Sequence, residues 1–254
     1  TSNIKKNVIN MPNRVALITG GAKGIGRAIG LQLAKDGWSI ALCYRNSVNE
    51  AEEAAKAIRK NGGKALTGRC DVSDPKACEA FTEQVYSEFE NINALINCAG
   101  PYHRRPLLDE TIEGWHEMFD NNLHPVFYMS RIIAPRMIKN EWGRIVNFSM
   151  ANADRMVAQP QVTAHYIAKS GILILTRSLA KILGPHNITV NSISPGFIDS
   201  GSAPEEELRK MVKNIPAGYV GELSDAVSVT RFLLSEEARY VNGANLHLSG
   251  GWGI

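Results

Sequence analysis

The 254-residue chain lacks most of the features that would direct it to a membrane, a secretory route or a nucleic acid. It has no uncharged apolar run of about 18 residues, so no transmembrane helix is expected. Residues 1–12, TSNIKKNVINMP, carry lysines with no apolar stretch behind them, which does not make a secretory signal; they read as a short tail. The four cysteines (Cys43, Cys70, Cys78 and Cys98) form no C-x-x-C pair and are too sparse for a disulfide framework. Reduced thiols in a cytoplasmic protein are therefore the expectation. The histidines are scattered, without H-E-x-x-H or Cys/His clustering, so no metal is expected. A G-x-S-x-G nucleophile elbow is also missing. A net charge of +3 is too weak to make nucleic acid or an anionic membrane the main partner. Repeats, low-complexity tracts and Pro/Gly/Ser linkers are absent, so one domain over 13–254 is expected rather than two.

What remains is an alternating pattern. Short, β-branched apolar runs recur at Val15–Thr19, Ser39–Cys43, Ala94–Asn97, Arg144–Phe148 and Ile188–Ile193. Longer stretches with helical spacing lie between them, as at Glu50–Lys60 and Pro75–Phe89. Continuous apolar strands separated by helices indicate a parallel sheet covered on both faces. The expected fold is α/β: a single doubly wound parallel sheet, Rossmann-type, with helices on both faces. Residues 197–216 stand apart, with acidic and basic side chains crowded between Pro204 and Lys213. They read either as a solvated surface helix or as a mobile lid over a site.

Thr19-Gly-Gly-Ala-Lys-Gly-Ile-Gly26 follows the first strand and opens the first helix. Its Gly20, Gly24 and Gly26 permit a tight turn through which backbone N–H groups and a helix N-terminus can approach a pyrophosphate. An NAD site would place a carboxylate at the end of the second strand, on the ribose 2′-hydroxyl. This chain instead reads Cys43-Tyr44-Arg45-Asn46-Ser47. Arg45 suits the 2′-phosphate of NADP, and Lys23 adds a second positive charge; the alternative is a plain surface arginine. NADP(H) is the expected cofactor.

These residues resemble the short-chain dehydrogenase/reductase family, over about Arg14 to Gly251. The glycine turn, including Ile25, resembles the family's TGxxxGIG. Cys70-Asp71-Val72 resembles its adenine-contacting segment, and Asn97-Cys-Ala99-Gly100 its NNAG motif. Asn122-Leu123 resembles the motif that supplies a helix asparagine to a proton relay. Pro195-Gly196-Phe197-Ile198 resembles the PG motif that reaches the nicotinamide. Gly143–Asn147 and Leu175–Ala180 look closest to 3-oxoacyl-acyl-carrier-protein reductases. The resemblance implies hydride transfer between NADP(H) and a carbonyl or alcohol, on a small or acyl-carrier-linked substrate. It also implies a homotetramer assembled through two long helices, about Ile112–Lys139 and Val162–Leu183, with the C-terminal segment 244–254 suited to a second interface.

The family's chemistry uses a tyrosine and a lysine spaced Y-x-x-x-K on one helix face, with a serine on the carbonyl. Lys169 fits the lysine, which also holds the nicotinamide ribose. Four residues before it, however, stands His165, and Tyr166 is at i+3. Met150 occupies the second of the family's paired serine positions, leaving Ser149 at the first. Three readings stay open: Tyr166 reaches the site through an irregular helix start; His165 replaces the tyrosine as proton donor; or the protein binds a dinucleotide with weak or no reductase activity. Arg104 and Arg105, in Pro101–Arg105, either line a substrate mouth for an anionic carrier or lie on a solvated loop.

Overall fold

The computed structural model describes residues 14–199 and 205–253. The tail at 1–12 lies outside them, as do residues 200–204 of the segment read as helix or lid. In chain order the elements are β1 (Val15–Thr19), α1 (Gly24–Lys35), β2 (Ser39–Tyr44), α2 (Val48–Lys60), β3 (Ala65–Arg69), α3 (Pro75–Phe89) and β4 (Ala94–Asn97). They continue with α4 (Ile112–Asn122), α5 (His124–Lys139), β5 (Gly143–Phe148), α6 (Thr163–Leu183) and β6 (Ile188–Pro195). The C-terminal part holds β7 (Ile198–Asp199), α7 (Glu205–Val212), β8 (Gly221–Glu222), α8 (Leu223–Leu234) and β9 (Asn245–Leu248).

Seven strands form one sheet in the order β3-β2-β1-β4-β5-β6-β9, and every pairing is parallel. Parallel strands need crossovers, and helices supply them on both faces. Each face carries its own core. Leu17, Cys43, Phe81 and Ile145 belong to one, on the side of α3 and α5; Ile18, Leu42, Ile96 and Leu233 belong to the other, on the side of α1 and α8. The sheet is thus the doubly wound arrangement expected. The order reverses between β1 and β4, and a crevice opens there at the carboxyl ends of the strands, where such folds bind ligands.

Two edge strands were not expected. β3 reads ALTGR, with a glycine and a terminal arginine in place of a β-branched run; β9 lies in the segment read as an interface. The single helix expected over Ile112–Lys139 is two, broken at Leu123. Pro125 causes the break: it has no N–H to give the carbonyl four residues back, and its ring crowds that carbonyl.

Candidate active site

The glycine turn is built by close approach. Gly20 has φ +65°, and a Cβ there would lie 3.0 Å from the Ala99 Cα; one on Gly26 would lie 2.6 Å from the Gly20 carbonyl oxygen. Only glycine lets β1 turn this tightly into α1. The Thr19 hydroxyl accepts from the amides of Cys98 and Ala99, at 3.0 and 3.1 Å, and so ties the ends of β1 and β4 together.

A cavity of about 540 Å³ opens beside this turn. Of the residues expected to hold a cofactor, Gly20, Lys23, Arg45, Asn46, Ser47, Asp71, Val72, Ala99 and Gly100 line it. Gly24, Ile25 and Gly26 open α1 behind it, with Ile25 packed on the core. Asn97 is buried in the sheet, where its amide donates to Asn147 at 2.8 Å, and Asn147 in turn donates to Thr176. Asn121 also lines it, and the sequence pattern gave no sign of that. Arg45 donates to Asn121 Oδ1 at 3.2 Å and stands at the end of β2 with no carboxylate beside it in Tyr44, Asn46 or Ser47. Lys23 is not a free charge: it pairs with Glu50 at 2.7 Å, on the surface. One Asp71 oxygen accepts from both the amide and the hydroxyl of Ser73.

Next to Gly100 the cavity passes into a second cluster. A Cβ on Gly100 would lie 2.5 Å from Asn122 Oδ1 and 3.1 Å from Lys169 Nζ, so both heads converge on this glycine. The break at Leu123 ends α4 at Asn122, whose amide donates to the Pro101 and Met118 carbonyls while its Oδ1 is buried without a partner. Lys169 Nζ donates to the Phe148 carbonyl at 2.9 Å, and burial pushes its pKa down to about 8. His165, one turn earlier on α6, is buried with Nδ1 unpartnered and the Tyr102 ring edge-on at 5.2 Å. Burial, then the positive charges of Lys169 and His103, push the pKa of His165 down to about 3, against the Pro101 carbonyl, which favours the ring N–H.

The hydroxyls of Tyr166 and Ser149, the other two side chains singled out in the sequence, are hydrogen-bonded to the backbone. The Tyr166 hydroxyl donates to the Asn152 carbonyl at 2.7 Å and accepts from the Val157 amide at 3.2 Å. The Ser149 hydroxyl donates to the Lys169 carbonyl at 2.8 Å. Ser170 adds a bond to the Ala153 carbonyl. The long loop before α6 is thus stapled to that helix by hydroxyls. α6 is helical from Thr163, so His165 and Tyr166 precede Lys169 by four and three residues on regular turns. Over the site, Arg105 and Leu107 donate backbone bonds to the carbonyls of Gln161 and Pro160. Arg105 also pairs with the half-buried Glu110, together with His103, while Arg104 is exposed. Pro195, Gly196 and Ile198 are not among the residues that line the cavity: the Pro195 carbonyl accepts from the Ala151 amide, the Gly196 amide donates to the Leu248 carbonyl, and Ile198 pairs in β7 with Gly221.

A family model described as enoyl-(acyl carrier protein) reductase matches residues 20–253. The chain belongs to the short-chain dehydrogenase/reductase family. It is 33% identical to the 3-oxoacyl-[acyl-carrier-protein] reductase FabG of Staphylococcus aureus over 239 residues, covering 93% of this chain and 96% of that protein. It is also 33% identical to FabG of Haemophilus influenzae over 245 residues, covering 95% and 98%. Among solved structures, a short-chain dehydrogenase/reductase of Serratia marcescens superposes with a TM-score of 0.90 at 30% identity, covering 96% of this chain and 100% of that one. The protein is an oxidoreductase of this family. Among the described residues no helix is long and apolar enough to cross a membrane, and no cluster of three potential metal ligands occurs.

Proposed function

We propose that this reductase-family protein is NADP(H)-dependent and interconverts a carbonyl and an alcohol, with an acyl-linked carbonyl such as a 3-oxoacyl thioester as its substrate class. Its relatives in Staphylococcus aureus and Haemophilus influenzae, both 3-oxoacyl-[acyl-carrier-protein] reductases, support that class. Arg45 at a strand end without a carboxylate supports the 2′-phosphate, worth about 1.5–3 kcal/mol per charged hydrogen bond. The cavity fits a dinucleotide: the glycine cradle leaves room where a Cβ would intrude, and the buried Asn122 Oδ1 lacks a partner. When bound, the nicotinamide supplies or accepts the hydride. Gly20, Gly24 and the start of α1 would hold the pyrophosphate, Asp71 and Val72 would border the adenine, and Pro195, Gly196 and Ile198 would border the nicotinamide.

The observation that carries the catalytic assignment is the pairing of His165 and Lys169 on one face beside Asn122. A neutral imidazole can hydrogen-bond the substrate oxygen through the free Nδ1, as donor or acceptor according to its tautomer. Lys169, an ammonium below about pH 8, is the proton reservoir, and Asn122 orients a water between them. Oxidation of NADPH, followed with a panel of ketones and acetoacetyl thioesters, tests this reading. Turnover that survives His165→Ala overturns it. A second reading, a dinucleotide-binding protein with weak or no turnover, is favoured by the commitment of the Ser149 hydroxyl to a backbone carbonyl; tight NADPH binding without turnover on any substrate supports it. Exposed Phe127, Ile167, Ile174 and Ile182 on α5 and α6 support assembly as a homotetramer. A lid role for α7 belongs to the same proposal.

A further inference from the structure

The cysteines that looked unrelated in the sequence meet in the fold. Cys43 ends the buried part of β2, Cys70 follows β3 directly, and Cys78 lies in the first turn of α3. All three lie in the buried cluster on the α3 side of the sheet, and the Cys70 amide donates to the Tyr44 carbonyl at 2.8 Å, which holds Cys70 against the end of β2. Cys78 also reaches the Val72 carbonyl at 3.5 Å. Cys43 pairs in register with Gly68, two residues before Cys70, so Cys43 and Cys70 project from the same face of neighbouring strands. Both line the cavity, between Arg45 and Asp71, while Cys78 does not. Bulk solvent barely reaches them, at 0% and 2% exposure, so only a small reagent entering the cavity can attack.

We propose that Cys43 and Cys70 are a peroxide-sensitive dithiol in the wall of the cofactor cavity: oxidation joins them and shuts out the dinucleotide, and bound dinucleotide protects them. The gating half of this rests on the cofactor reading given above. The Cys70 sulfur attacks a peroxide oxygen, the O–O bond breaks, and the departing oxygen is protonated to water, leaving a sulfenic acid. The Cys43 sulfur then attacks Cys70, displacing the sulfenic oxygen, which leaves as a second water with the Cys43 proton. Two thiols are oxidised to a disulfide and one hydrogen peroxide is reduced to two waters. A disulfide requires a Cα separation of about 4.4–6.8 Å, shorter than the diagonal between strands. Closing it therefore draws the end of β3 toward β2 and displaces Arg45 and Asp71, which flank it.

The test exposes the intact protein to hydrogen peroxide with and without saturating NADP⁺, then maps cross-linked peptides and measures NADP⁺ affinity by calorimetry. Expected are a Cys43–Cys70 peptide only without NADP⁺, affinity lowered at least about tenfold, and recovery with dithiothreitol. The cross-link should survive Cys98→Ser and vanish in Cys70→Ser; mapping of the parent protein decides the matter if that variant does not fold. A cross-link to Cys78 instead, oxidation confined to Cys98, or a linked protein that binds NADP⁺ like the parent overturns the proposal. A missing cross-link in protein that binds NADP⁺ overturns the dithiol alone. Untreated protein that binds no NADP⁺ overturns the cofactor reading and the gating with it, while the peptide map still reports on the thiols.

Discussion

A hydroxyl has one proton to give, and Tyr166 gives its proton to the Asn152 carbonyl. Replacing it with phenylalanine strands that carbonyl and the Val157 amide, which costs on the order of 1–3 kcal/mol in a buried site. Tyr166→Phe is therefore expected to lower stability in urea titrations while leaving NADP⁺ affinity intact; loss of turnover with unchanged stability would return the proton donor to Tyr166. The pH profile gives an independent check. The pKa of Lys169 is lowered to about 8, so its ammonium is present below that pH and lost above it. Carbonyl reduction should fall as pH rises through about 8. The His165 ring stays neutral down to about pH 3, so the profile should show no inflection near pH 6.5, where an exposed histidine titrates. The sequence displayed the two candidates at i and i+1 but could not choose. The choice depends on how the chain enters α6 after Val162, and that is set by a loop whose contacts are distant in sequence.

At the scale of elements, the legible parts were those with a strong local reason. β1, β2, β4, β5 and β6 are buried and carry short β-branched apolar runs, broken in β5 and β6 by buried polar residues such as Asn147 and Asn191; the glycine turn announces itself because no other residue fits. β3 and β9 sit at the sheet edges, where one side needs no partner and composition is less constrained. The divide between α4 and α5 was readable from Pro125, yet the apolar periodicity runs across it and hid it. The turn yields a clear expectation: Gly26→Ala drives a methyl against the Gly20 carbonyl, and the resulting shift should weaken NADP⁺ binding by about tenfold or more in calorimetry, with an overpacking cost of about 1–3 kcal/mol. Arg45→Asp sets a carboxylate where the 2′-phosphate is proposed to sit. It should invert the preference between NADPH and NADH, as read by the ratio of their dissociation constants.

At the scale of the whole molecule, the apolar side chains left outside both cores predict its assembly. Light scattering at micromolar protein should report a tetramer, and Ile174→Asp on α6 should lower the mass without unfolding the chain. The strand order carries a different consequence, for the time course of synthesis. β2 pairs with β1 on one side and β3 on the other, and these three strands emerge first, so the first third of the chain can settle into a right-handed βαβαβ unit while the rest is still being made. The free edge of β1 then waits for β4, and the turn that closes the cavity is tied through Thr19 to Cys98 and Ala99 across that seam. The ligand site is assembled from an early half and a late half. It exists only after the two have docked, so a dinucleotide present during translation should reward completed chains and leave nascent ones untouched.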